Sequence, residues 1–131
     1  VYNQLGDGER ALAYLGQALP IQREVGDRAG EAITLSNIGA AYERLGDAER
    51  ALAYYGQALP IRREVDDRVG EAVIRFNVAR IHRAAGHLDQ AIRELELVVE
   101  LDQQLGHPDL ASDTAMLDLL REERRRAQDA T

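Results

Sequence analysis

Residues 42–61 read Tyr-Glu-Arg-Leu-Gly-Asp-Ala-Glu-Arg-Ala-Leu-Ala-Tyr-Tyr-Gly-Gln-Ala-Leu-Pro-Ile, and residues 2–21 read Tyr-Asn-Gln-Leu-Gly-Asp-Gly-Glu-Arg-Ala-Leu-Ala-Tyr-Leu-Gly-Gln-Ala-Leu-Pro-Ile. A shift of forty residues superposes them, and about 25 of the first 40 positions recur in the next 40. A fainter third copy follows, with Gly86, Ala91, Ile92, Leu95 and Val98 where Gly46, Ala51, Leu52, Tyr55 and Ala58 stand. Self-similarity at a fixed period marks a repeat architecture, in which each unit buries its apolar face only against its neighbours.

Each repeat reads as two helices. From Asp27 or Arg28 to Leu45, the residues Ala32, Leu35, Ile38, Gly39 and Tyr42 recur at spacings of three and four, a helical stripe. Gly46 can take the left-handed conformation that ends a helix, and Asp47 can cap the amides that follow. A second helix is expected from about Ala48 to Val65, with Ala51, Leu52, Tyr55, Ala58 and Leu59 inward. Asp66-Asp67 then separates the repeats, at the place held by Gly26-Asp27. Turns this short pack neighbouring helices antiparallel, so the expected fold is all-α, an α-solenoid of antiparallel helix pairs.

One repeat domain is expected over 1–131, with a partial repeat at about 1–26, full repeats at 27–66 and 67–106, and a capping helix at about 108–127. The partial repeat keeps only the tail of a first helix, Val1 to Leu5, before Gly6-Asp7. The capping helix offers Leu110, Met116, Leu117 and Leu120 to the last repeat, and its run Arg121 to Arg126 alternates in sign as solvated helix faces do. The start has no such cover, so self-association through that end is expected.

Pro20 and Pro60 fall inside second helices, where proline loses a hydrogen bond and presses on the carbonyl four residues earlier. That earlier residue is Gly16 or Gly56, whose permissive backbone lets the carbonyl tilt away. The third copy has Glu96 and Glu100 in place of both. A bent helix is expected, the alternative being a helix that ends near Leu59.

The series Ile38-Gly39, Tyr42, Gly46, Ala51, Tyr55, Ala58 resembles the tetratricopeptide repeat, with small residues at close helix approaches and tyrosines filling the gaps. Its period of forty is similar to that of the longer variant in kinesin light chains, cell-polarity adaptors and bacterial regulatory proteins. The run Gln-Ala-Leu-Pro-Ile-x-Arg-Glu-Val-x-Asp-Arg-x-Gly-Glu-Ala at 17–32 and 57–72 is especially like the bacterial members. The resemblance implies a right-handed superhelix whose concave groove takes a peptide or helix from a partner protein. HEAT and armadillo repeats share the period but lack the Gly-Tyr-Gly-Ala pattern.

Composition narrows the function. Sixteen basic residues, all arginine, against 23 acidic ones give a net charge of −7, which argues against a nucleic-acid partner. The all-arginine usage hints at a GC-rich coding sequence. With no cysteine, thiolate metal sites and cysteine nucleophiles are excluded. No apolar run reaches the roughly 20 residues of a membrane helix, and a cytoplasmic location is expected. His82 takes the place of Tyr2 and Tyr42 and reads as a packing residue, while His87 and His107 fall in turns. No histidine pair has metal-site spacing and no glycine-rich loop follows a strand, so neither an enzyme nor a metal or other cofactor is expected.

The candidate binding residues start from two asparagines. Asn37 and Asn77 recur just before Ile38-Gly39 and Val78-Ala79, although asparagine is a mediocre helix former. By the resemblance this position lines the groove, where a carboxamide pairs with the backbone of an extended peptide. Ser36, Ala40, Glu43 and Arg44 would join from one repeat, and Phe76, Arg80 and Arg83 from the next. Arg80 and Arg83 suit a carboxylate. The alternative is that both asparagines bond between helices and the duplication copied them. The family's clamp for terminal carboxylates also uses lysines, which argues against a chaperone-tail adaptor here. The expected function is a protein-interaction module, a fragment of a larger bacterial signalling or regulatory protein. Two rival readings are a structural spacer or self-assembly element with an empty groove, and a sensory part that biases an adjoining effector.

Overall fold

The computed structural model describes residues 4–130, without the side chains of Gln4 and Leu5. The described residues form helices α1 (Gln4–Val25), α2 (Arg28–Arg44), α3 (Ala48–Glu64), α4 (Arg68–Ala84), α5 (Leu88–Leu105) and α6 (Leu110–Asp129). They fall into two compact units, one ending at Asp67 and one starting at Arg68. In the first, α2 packs on α1 and on α3; in the second, α5 packs on α4 and on α6.

The punctuation is regular. Gly26, Gly46, Asp66, Gly86 and Gly106 all have positive φ, one every twenty residues. After each, a backbone N–H returns to a carbonyl five residues back: Asp27 to Gln22, Asp47 to Tyr42, Asp67 to Arg62, His87 to His82 and His107 to Asp102, at 2.8–2.9 Å. These bonds satisfy carbonyls that a helix end would leave bare. Asp27 and Asp47 cap the next helices by accepting from Gly30 N and Arg50 N at 2.9 and 3.1 Å.

The core of the first unit holds Leu35, Ile38, Ala51, Tyr55, Ala58 and Ile61, with Ala32, Gly39 and Ala41 beside them. Burying a side chain such as Leu35 contributes about 2 kcal/mol. Tyr42 is half-buried, stacked on Tyr54 with ring centroids 5.6 Å apart, and the Arg50 guanidinium carbon lies over the Tyr42 ring, 5.6 Å from its centroid. Leu52 and Leu59, expected inward, are half-buried. In the second unit Ala79, Ala91, Ile92, Leu95, Val98, Leu117 and Leu120 form one cluster, with Met116 packed against it and Leu110 half-buried. Arg75, only 4% exposed, is held by Glu71 at 2.9 Å and Glu94 at 2.8 Å. Its counterpart forty residues earlier is the apolar Leu35.

Both prolines lie within unbroken helices, so the helices do not end near Leu19 or Leu59. A Cβ added at Gly16 or Gly56 would meet nothing within 4 Å. Their smallness therefore serves no tight packing, in keeping with a role in freeing the carbonyl beneath the proline.

Two expectations are corrected. The Leu-Gly-Asp at 5–7 forms no turn: α1 runs straight through Gly6 and Asp7. The same tripeptide at 45–47 does turn, so the difference is not local. At 45–47 the turn joins α2 and α3, which fold against one another, and it is closed by the Asp47 N–H on the Tyr42 carbonyl. Val1 to Asn3, the start of the expected partial helix, lie outside the described residues. The capping helix begins at Leu110, after Pro108 and Asp109, and its charged run is not simply solvated. Glu123 pairs with Arg83, Arg121 with Glu96 at 3.5 Å and Arg124 with Asp89 at 3.3 Å.

Candidate functional site

The sequence-selected residues divide between the units. In the first, Asn37 is exposed on α2, one turn beyond the exposed Ile33. Ser36, half-buried, donates to the Ala32 carbonyl at 2.8 Å and accepts from Arg62 Nη2 at 3.1 Å. Arg62 also pairs with Asp67. Arg44 is exposed and Ala40 half-buried. Glu43 is occupied, accepting the Tyr55 hydroxyl at 2.6 Å.

In the second unit the structure brings Phe76, Asn77, Arg80 and Arg83 around two hollows that share Phe76 as a wall. One hollow, about 110 Å³, is floored by Ala79 and Leu95 and closed by Met116 and Leu120 of α6, with Arg80 and Arg83 at its rim. The other, about 170 Å³, is lined by Val69, Val73 and Asn77 of α4, Val98 and Asp102 of α5, and His107, Asp109 and Asp113 beyond. Helices α4, α5 and α6 thus frame an apolar surface with polar groups at both ends, the usual make-up of a ligand site.

Arg83 differs from its expected role. It forms a two-point pair with Glu123, Nη2–Oε1 at 2.5 Å and Nε–Oε2 at 3.3 Å, so its guanidinium fork already holds a carboxylate of its own chain. Asn77 is half-buried on α4. His82 is half-buried, its ring 6.0 Å from that of His87, and burial holds its imidazole below the ordinary value despite the opposing charge of Glu94.

The sequence reading passed over position 102 and its equivalents. Gln22, Arg62 and Asp102 stand forty residues apart, and each has a buried polar atom with no hydrogen-bond partner: Gln22 Oε1, Arg62 Nε and Asp102 Oδ2. This is the variable x of the otherwise identical Pro-Ile-x-Arg-Glu-Val run at 20–25 and 60–65. Asp102 is 1% exposed. Beside it the Asp113 carboxyl is pushed up to about 7, by burial first, then by its hydrogen bond to Asp102 and the charges of Asp102 and Asp109, with His107 opposing. A proton on Asp113 gives that carboxyl something to donate to Asp102; without it, two carboxylates face one another.

No described helix is long and apolar enough to cross a membrane. No curated protein matches the chain. Two tetratricopeptide repeat family models match it, one over residues 1–64 and one over residues 72–105. Repeats of this family generally mediate protein–protein interaction and are generally non-catalytic. The repeated helix pairs, their glycine punctuation and the matched segments agree: the chain belongs to the tetratricopeptide repeat family.

Proposed function

We propose that the chain binds a peptide segment of a partner protein on the face of α4 between α5 and α6, as an interaction module of a larger bacterial signalling or regulatory protein working in the cytoplasm. One observation carries the binding reading: Phe76, Asn77, Arg80 and Arg83, chosen from the sequence, line two adjoining hollows with apolar walls and polar ends. Asn77 offers a peptide backbone a donor and an acceptor, and Phe76 offers both hollows an aromatic wall. On the first unit, α2 carries Asn37 and Arg44, both exposed, and the half-buried Ser36. The bacterial context rests on the Gln-Ala-Leu-Pro-Ile-x-Arg-Glu-Val runs.

The test is selection of a random peptide library on the folded chain. Affinity of the enriched peptide is then measured on the Phe76→Ala, Asn77→Ala double variant, with circular dichroism confirming its helices. Loss of about tenfold or more supports the reading. No enrichment, or unchanged affinity, overturns it. The rival is then a spacer or self-assembling element, for which the exposed Tyr14, Ile21 and Val25 of α1 provide apolar surface and light scattering the measurement.

A further inference from the structure

The hollow ending at Asp102 has a chemistry that the peptide-binding reading does not specify. Its walls, Val69, Val73, Phe76 and Val98, are apolar, and its far end carries Asp102, Asp109 and Asp113. Asp102 is almost wholly buried with Oδ2 unpartnered, and it stands in the last turn of α5, where the helix dipole adds negative potential. That turn contains no basic residue, whereas the last turns of the other five helices do. The groups facing Asp113 are Asp102 from α5 and His107 and Asp109 from the turn, while α4 contributes only uncharged side chains. His107 borders the site, its Nδ1 accepting the Asp109 N–H at 3.0 Å and standing 4.0 Å from Asp102 Oδ1.

We propose that this hollow holds a basic side chain, lysine or arginine, of the bound peptide, its aliphatic stem against Val73 and Phe76 and its cationic head on Asp102 and Asp113. A buried carboxylate oxygen with no partner, beside a second carboxyl, gains from an incoming cation, because an unmet oxygen costs its desolvation. A long basic side chain has both parts the hollow asks for, an apolar stem and a charged tip. A metal ion suits the site poorly: among the described residues no three His, Asp or Glu side chains group as metal ligands. The equivalent place in the first unit carries Arg62, which pairs with Asp67. Since Asp113 holds its proton up to about 7, the cation displaces that proton to solvent, and binding strengthens as pH rises.

This inference rests on the peptide-binding reading, and the experiment separates the two. Capped pentapeptides of alanine with lysine, norleucine or glutamate at the centre are titrated into the isotope-labelled chain and followed by NMR. The lysine peptide is expected to shift the amides of Asn77, Asp102 and Asp113 saturably and more tightly at about pH 8 than at about pH 6. Asp102→Asn, with its fold checked by its spectrum, should weaken that binding about tenfold and leave the norleucine peptide unaffected. If norleucine or glutamate binds there as well as lysine, the cation site is overturned and the peptide groove stands. If none of the three produces saturable shifts on this face, both fall.

Discussion

Gly39 of α2 lies flat against the ring of Tyr55 of α3: a Cβ on Gly39 would stand 2.8 Å from ring carbons Cδ1 and Cε1. Tyr55 is 1% exposed and its hydroxyl is tied to Glu43, so the ring has nowhere to swing. Gly39→Ala would gain about 1 kcal/mol of helix propensity but suffer a core overlap costing about 1–3 kcal/mol. A net fall in stability is expected by urea unfolding. The third repeat has Ala79 and Leu95 at these places, within one core cluster, so Gly39→Ala, Tyr55→Leu should recover part of the loss.

Asp66 does a glycine's work at the third of five left-handed positions, with φ 58°. An L residue there costs about 1 kcal/mol or more, somewhat less for aspartate. Asp66→Gly is therefore expected to raise the thermal midpoint by a few degrees, corresponding to roughly 0.5–1 kcal/mol. An unchanged or lower midpoint would mean that the Asp66 side chain contributes as much as its backbone conformation costs.

Gly56 and Pro60 should behave as a coupled pair. Replacing Pro60 by alanine restores a helical N–H, with an expected gain of about 1–3 kcal/mol. Gly56→Ala meets no neighbour, so in that background it should add up to about 1 kcal/mol. Beside the intact proline it should add nothing or destabilise, because the carbonyl of residue 56 must tilt away from the ring. A double-mutant cycle by calorimetry reads this coupling, and simple additivity would refute it.

Arg75 is enclosed with Glu71 and Glu94. Arg75→Ala removes the cation and leaves two poorly solvated carboxylates, for an expected loss of about 3 kcal/mol in denaturant unfolding. A loss below about 1 kcal/mol would indicate that water reaches both glutamates.

Asp113 predicts a pH dependence of stability. Unfolded, it releases its proton near the ordinary value of 3.8; folded, it holds it to about 7. Between those values the folded chain binds more protons, so this group's contribution to stability falls as pH rises through the window. Asp113→Asn, neutral throughout, should match the parent near pH 4 and exceed it at about pH 8 by on the order of 1 kcal/mol, the side chain being only half-buried. Thermal midpoints of both proteins across that range check it, and parallel curves would refute it. The difference between the two cancels the opposing titration of His82, whose burial disfavours its charged form.

The forty-residue period, the helical stripes and the Leu-Gly-Asp punctuation are short-range patterns, and from them the sequence by itself determined the helix pairs from Asp27 onward, the passage of α3 through Pro60 and the family. The family resemblance also singled out Phe76, Asn77, Arg80 and Arg83, all on α4, which line the two hollows. Tertiary structure decided the rest. Leu-Gly-Asp is a turn at 45–47 and helix at 5–7, since the winner depends on what packs beside it. Glu123 reaches Arg83 from forty residues away. Asp102 does not recur, its equivalents being Gln22 and Arg62, and what matters about it is burial rather than identity. A carboxylate at a helix end is solvated and ordinary until α4 and α6 close over it; only then do its desolvation and its charge on Asp113 come into being.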